Sequence, residues 1–454
     1  MRLSRSLCFL TVLTCVLTPP AVGQSAPDIR YGHQLYVEAA QLPSDSAGKA
    51  RVDIFLRVTH DFMIFTRTES LHADSLYAAG VEISMHARRE GKSVATRNHF
   101  ASLYSGSYEA TEMRDRYLRF RQHFHLEPGR YEFLVTLSDR KSARQRNITR
   151  ILEVKDLQDG RAIGMPLPLE VNQNPQSVEY SVLGYDGTLP FAAPGLIGIP
   201  VTRGWNPTWT LRLLRLDEDG DVDREVLPAD VIQPEAVLRN VAPLLPSGRV
   251  DNFDLGKGTS TESDLVVLRL PIARLDVGPY LLQVRAQGDD SDDSLSWRTS
   301  IYWRNMPYSL RDIEFAVDVM RYILTEDEYE AMSSGSRREM TQRFREYWRE
   351  LDTTPETEYN EMMTEYFRRV DETIDQFQTL HERNGAQTDR GKVYILFGPP
   401  EDKQRVLNSD EPAEEIWYYP SLGKTFRFVD RNHNGDYKLY EECQDAPTDS
   451  DFHR

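Results

Sequence analysis

Over the first two thirds of the chain, apolar and polar positions alternate with a period of two in short runs. That is the pattern of strands with one face buried. The runs Gln34–Ala39, Val52–Thr59, Val81–His86, Tyr117–His125, Tyr131–Leu137 and Ile148–Val154 are separated by Gly, Asp and Pro turns, and predict a β-sandwich over residues 28–156. Punctuation at Pro166–Pro168 and Asn172–Pro175 reads as a linker. A second set follows: Leu196–Val201, Trp209–Leu216, Leu265–Leu270, Tyr280–Ala286 and Ser296–Tyr302, predicting another β domain over 166–304.

The two segments repeat a corner. Leu126-Glu-Pro-Gly129-Arg-Tyr131 aligns with Leu275-Asp-Val-Gly278-Pro-Tyr280, and in each a turn glycine and a tyrosine lead into an alternating strand. This resembles the tyrosine corner of immunoglobulin-like sandwiches, whose hydroxyl ties down a backbone group. The reading is two tandem immunoglobulin-like β-sandwiches.

At Pro307 the period changes. Leu310, Ile313, Val317, Met320 and Ile323 recur at helical spacing behind a Ser309 N-cap, and Met340, Phe344, Trp348 and Leu351 form a second stripe. A third helix is expected to start at Thr354-Pro355-Glu356, with a stripe from Tyr359 to Leu380, and to end at Gly385. The run Lys392–Phe397, rich in β-branched and aromatic residues and closed by Gly398-Pro399-Pro400, predicts a buried strand. Ile416–Tyr419 and a hairpin of Thr425–Val429 with Asp436–Tyr440 complete an α+β C-terminal domain over 307–443. The acidic tail 444–454 is expected to be disordered.

Ordered motifs in this last third carry a resemblance. Tyr347-Trp348, Leu351, Pro355, Asn360-Glu361, Tyr366 and Arg368-Arg369-Val370 precede Gly385-x-x-Thr388-Asp389-Arg390-Gly391 and the run to Pro400; Glu415-x-Trp417-x-Tyr419 and Phe426-x-Phe428-x-Asp430 follow. The stretch resembles the GWxTD domain of secreted bacterial proteins, with Ala386 in place of the namesake tryptophan. The resemblance implies a fold and an exported location, not a reaction.

The N-terminal segment predicts export. Met1–Gly23 has basic Arg2 and Arg5, an apolar Leu7–Leu17 and a small-residue Ala21-Val22-Gly23 exit, the plan of a signal peptide. The mature chain is then expected to be periplasmic or extracellular, with cell-surface association as a further option. It would contain no transmembrane span, because no later run reaches the required length. Cys8 and Cys15 leave with the leader, so Cys443 remains alone, which excludes an intrachain disulfide and a multi-cysteine zinc site. A formal charge of −17 opposes nucleic-acid partners.

Candidate chemistry concentrates in two loops. Thr388, Asp389, Arg390 and Gly391, with Trp417 as a cover, form the candidate binding corner; Asp389 and Arg390 offer paired charges and Gly391 a close backbone approach. Asp430, Asn432, Asn434, Asp436 and Glu441 fit a calcium-loop spacing, although the flanks read as strands and Asn434-Gly435 as a hairpin turn. His123 and His125 share one strand face and could grip a metal, and Asp217–Asp223 and Asp289–Asp293 read as solvated loop tips. No nucleophile elbow, zinc-protease helix, Walker loop or dinucleotide fingerprint is present. The expected function is therefore that of a non-catalytic envelope protein that binds or scaffolds another protein or a cell-surface polymer, without a cofactor unless calcium serves. The alternative is a hydrolase with its site at the Asp389–Arg390 corner.

Overall fold

The computed structural model describes residues 34–443 except 45–47, 69–75, 114–115, 143, 158–161, 175–176, 192–194, 218, 244–246, 258–262, 273–274, 289–291, 305, 356–358 and 408–410. The expected leader, the acidic tail and most of the Asp289–Asp293 cluster lie outside the described residues. The chain forms two compact units, one running to Tyr302 and the other comprising residues 273–276 and everything from Trp303.

Strand alternation builds the first unit. β1 (Leu35–Leu42), β2 (Ala50–Thr59) and β5 (Tyr117–Leu126) pair antiparallel in the order β1-β2-β5; β3 (Tyr77–Arg89), β4 (Lys92–Ser105), β6 (Gly129–Asp139) and β7 (Gln145–Val154) form a facing sheet in the order β4-β3-β6-β7. Their alternate apolar residues, such as Val37, Ile54, Ile83 and Val135, share one core. The pairing scheme then recurs. β8 (Leu167–Asn174), β9 (Gly195–Thr202) and β12 (Ser263–Leu270) pair as β8-β9-β12, while β10 (Thr208–Leu216), β11 (Val222–Ile232), β13 (Gly278–Gln287) and β14 (Asp292–Tyr302) pair as β11-β10-β13-β14.

The repeated corner has one geometry in both segments. Gly129 and Gly278 sit at φ 146° and 139°. The Arg89 guanidinium on β3 lies 5.9 Å from the Tyr131 ring, and that of Arg215 on β10 lies 4.8 Å from the Tyr280 ring. Arg215 also donates to the Val277 carbonyl at 2.9 Å and to the Tyr280 hydroxyl at 2.8 Å. At Tyr280, then, the hydroxyl accepts from an arginine side chain.

One face of the β1-β2-β5 sheet is not solvated as its polar residues suggest. The short strand Gly248–Val250 pairs with β5, and Ala40, Leu42 and Phe55 share a core with Leu167, Leu196 and Leu265 of the second segment. Every residue of β1 is buried as a result.

The second unit opens on α1 (Ile313–Val319), α2 (Glu326–Ser333), α3 (Arg337–Glu350) and α4 (Glu361–Gln376). Thr325 and Ser336 start α2 and α3 with capping boxes to Glu328 and Glu339. Two expected starts shift. Asp312, not Ser309, caps α1, because Ser309 lies in a preceding 3-10 turn; Asn360, not Thr354, caps α4 and accepts from the Met363 amide at 2.8 Å. α4 ends at Gln376, so Leu380 falls outside its stripe and is 84% exposed.

The larger correction is α5 (Asp389–Phe397), a helix where a strand was expected. A short apolar run does not by itself distinguish the two periods. Caps close the helix at both ends: Thr388 receives the Gly391 amide at 3.1 Å, and Gly398 places its own amide on the Tyr394 carbonyl. The helix is apolar on more than one side because it is buried on more than one. Ile395 joins the core of α1–α4, while Val393 and Tyr394 join that of the sheet formed by β15 (Asp402–Val406), β16 (Ala413–Tyr419), β17 (Lys424–Asp430) and β18 (Lys438–Cys443).

Candidate functional site

The start of α5 is pressed against the end of α4. A Cβ at Gly385 would sit 2.0 Å from the Thr373 carbonyl oxygen, and one at Gly391 would sit 2.0 Å from that of Gly385. Only glycine fits either place. Gly385 is thus a close-contact residue in a 3-10 turn, not the helix C-cap expected from the sequence. Thr388 caps α5 and donates to the Gly385 carbonyl at 2.7 Å. Ala386 is fully buried and its carbonyl accepts from the Tyr322 hydroxyl at 2.8 Å.

From this corner Asp389 reaches sideways, its Oδ2 accepting the Leu439 amide of β18 at 2.7 Å. Arg390 turns inward. Its guanidinium lies 4.4 Å from the Tyr437 ring centre and 5.3 Å from that of Phe377, with Nη1 3.4 Å from Glu415 Oε2 and Nη2 3.4 Å from the Gly435 carbonyl. Glu415 is 2% exposed, and its Oε1 receives Lys403 Nζ and Trp417 Nε1, both at 2.7 Å. Burial pushes the Glu415 carboxyl up. Hydrogen bonds from Lys403 and Trp417, with the charges of Lys403 and Arg390, outweigh it and hold the group below the usual carboxylate range. Trp417 is buried against Phe377, Tyr394 and Phe428.

The structure therefore brings Arg390 and Trp417 together around Glu415, which the sequence reading had not placed in the site. Thr388 and Gly391 are joined at the helix start, and Asp389 is spent on a backbone amide. A carboxylate held ionised by fixed donors is an anchor, poorly suited to proton transfer.

The calcium-spaced loop works as a hairpin cap. Asp430 Oδ1 and Oδ2 accept the amides of Asn434 and Gly435 at 3.1 and 2.8 Å, and Asn434 Oδ1 accepts that of Asp436 at 3.1 Å. Asp436 pairs with Lys438 at 3.1 Å, Glu441 lies on β18 beside Arg427, and Asn432 is at the exposed tip. His123 and His125 do stack, 5.3 Å apart, but His123 Nδ1 meets the Ser247 hydroxyl at 2.8 Å. Among the described residues, no group of three or more His, Cys, Asp or Glu is placed to hold a metal. At the loop tip 217–221, Asp217 accepts the amides of Asp219 and Asp221.

Sequence reasoning also missed Glu38, on β1 and 3% exposed. Burial, then the neighbouring Asp186 carboxylate, push its carboxyl up to about 8, against a Gly187 amide and the charges of Arg57 and Arg150. Asp186 itself accepts the Val37 amide and pairs with Arg150 at 2.8 Å. No local signal could have found this group, because the segment that buries it lies about 150 residues along the chain.

The architecture is a β-rich protein with a helix-containing domain at its C-terminal end. That domain is a GWxTD domain: the family model matches residues 288–446. No curated protein matches the chain. Among solved structures it is similar to a family 123 glycoside hydrolase from Clostridium perfringens at 9% identity, covering 37% of this chain and 32% of that one, with a TM-score of 0.13. It is similar to titin A168169 at 11% identity, covering 59% and 98%, with a TM-score of 0.12. A third likeness, 13% identical and covering 59% and 94% with a TM-score of 0.13, is to a structure described as manganese lipoxygenase of Gaeumannomyces graminis with part of zonadhesin of Komagataella pastoris. At such TM-scores these likenesses carry no argument, and the chain spans about a third of the glycoside hydrolase. Among the described residues no helix is long and apolar enough to cross a membrane.

Proposed function

We propose that this is an exported, non-catalytic envelope protein that binds or scaffolds another protein or a cell-surface polymer. In this reading, two tandem immunoglobulin-like sandwiches precede the GWxTD domain. The recurring three-strand and four-strand pairing scheme supports the tandem arrangement, and the apolar stretch Leu7–Leu17 behind Arg2 and Arg5 supports export. The observation that favours this reading over a hydrolase at Asp389–Arg390 is the engagement of that corner by its own residues. Asp389 is engaged by an amide, Arg390 is held between two rings, and Glu415 is locked by donors. A hydrolase at Asp389–Arg390 would need those groups facing substrate.

The test is capture by the immobilised chain from residue 24 onward, using an extract of its own cell envelope. Saturable retention of one protein or polymer, competed by free protein and kept in Asp389→Ala, is expected. Retention of nothing saturable would overturn the reading.

A further inference from the structure

We infer that the outward face of the β4-β3-β6-β7 sheet binds an uncharged polysaccharide, with Phe100 as the platform on which a sugar ring rests. The inference rests on the reading of the protein as a binder of surface polymers, and names the polymer's chemistry and its place.

Register sets the surface. Asn98, Ser84, Thr136 and Asn147 stand directly opposite one another across the four strands, with side chains on the outer face. That row spans on the order of 14 Å, three strand spacings. The next row along the strands carries Thr96, His86, Leu134 and Thr149. In a chain of charge −17 whose residues are 28% charged, these two rows hold no Asp, Glu, Lys or Arg. Beyond them the charges are paired with each other, Glu82 with Arg140 at 3.3 Å and Arg88 with Glu132 at 3.6 Å. A polyanion would find no net positive charge in these paired groups.

Sugar hydroxyls both donate and accept, as Asn, Ser, Thr and neutral His side chains do. Four of the polar groups are also held in place before any ligand arrives. Ser84 Oγ donates to Asn98 Oδ1 at 2.7 Å and meets His86 Nε2 at 3.0 Å, while His86 Nδ1 meets Thr96 Oγ1 at 3.0 Å. Fixing side chains in advance lowers the entropy lost on binding.

Phe100 ends the surface. Its phenyl ring lies on the outer sheet face and is 54% exposed, which leaves it open to a ligand. Its ring lies against Gly80, where a Cβ would come within 3.0 Å of two ring carbons, and the Arg140 guanidinium rests 5.1 Å from its centre. The ring is thereby anchored at the edge of a hydrogen-bonding surface, which is the combination that a pyranose, with one apolar face and a rim of hydroxyls, requires.

The test is electrophoresis of the whole protein through native gels cast with a neutral β-glucan, a galactomannan or an arabinoxylan, beside a gel cast with alginate. Retardation by at least one neutral polymer and none by alginate is expected. Phe100→Ala should weaken that retardation about tenfold or more. Asn98→Asp, an exposed and isosteric change that leaves the core untouched, should weaken it as well, while Tyr308→Ala in the other unit should not. Retardation by none of the neutral polymers, retardation by alginate alone, or full retention in both Phe100→Ala and Asn98→Asp would overturn the inference. Saturable capture of an envelope protein without polysaccharide retardation would sink this inference and leave the broader binding reading standing; loss of both results would sink both.

Discussion

Glu38 and Glu415 are both buried glutamates, at 3% and 2% exposure, and their carboxyls are driven in opposite directions. Glu415 has an ammonium and an indole N–H on one oxygen and a guanidinium near the other. Glu38 has an orphaned Oε2 and a second carboxylate, Asp186, as neighbour. Exposure is nearly the same; the donors differ, and Glu38 is the more deeply enclosed of the two. Loss of water raises both groups, and only where fixed donors replace the water does the charged form survive.

The comparison breaks most readily at Glu415. Glu415→Ala leaves Arg390 buried without its anion and should cost about 2–3 kcal/mol in a denaturant melt, part of the loss being moderated by the half-exposed Lys403. Because its folded value is depressed, Glu415 contributes stability above the ordinary carboxylate range that disappears as pH falls through the folded value. An unchanged melt would mean the charges are not coupled.

Glu38 should show the reverse slope. Its folded value of about 8 lies above the unfolded value, so this site favours folding fully below about 4.5 and loses that contribution as pH rises to about 8. Glu38→Gln, which mimics the protonated form, should therefore match the parent at pH 5 and exceed it by about 1–3 kcal/mol at pH 9. An equal deficit at both pH values would show that the carboxyl is charged throughout.

Asp430 sharpens the comparison with the smallest effect. It is also buried, but its partners are backbone amides. Asp430→Ala should cost about 1–2 kcal/mol. Calcium and chelator should give the parent the same melting temperature; a rise with calcium would restore the cation loop.

Strands such as β2, β6, β9 and β13 were legible because each signal is local, whereas the largely exposed β4 and β11 were not, and β8 is a strand where its prolines read as a linker. Alternation over a few residues, a glycine turn and a tyrosine after it suffice to place β6 and β13. The starts of α2 and α3 were equally readable, since Thr325 to Glu328 and Ser336 to Glu339 are capping-box spacings that the stripe-based reading passed over. The candidate corner was found through Thr388 to Gly391, but its partner Glu415 was not, because strand register rather than spacing brings Glu415 beneath Arg390.

The amino-acid order by itself determined the periods of many elements, many turn positions, the ordered motifs of the GWxTD domain and the close approach at Gly391, all set by sterics and hydrogen bonding within a few residues. Only the tertiary structure decided that Val393–Phe397 is a helix between two cores, that Asp389 holds a strand amide, and that the polar face bearing Arg51, Asp53 and Arg57 is buried. The physical reason is that burial and partner choice depend on what packs from far along the chain, and a charge in an alternating strand reads as solvent-facing until another segment covers it.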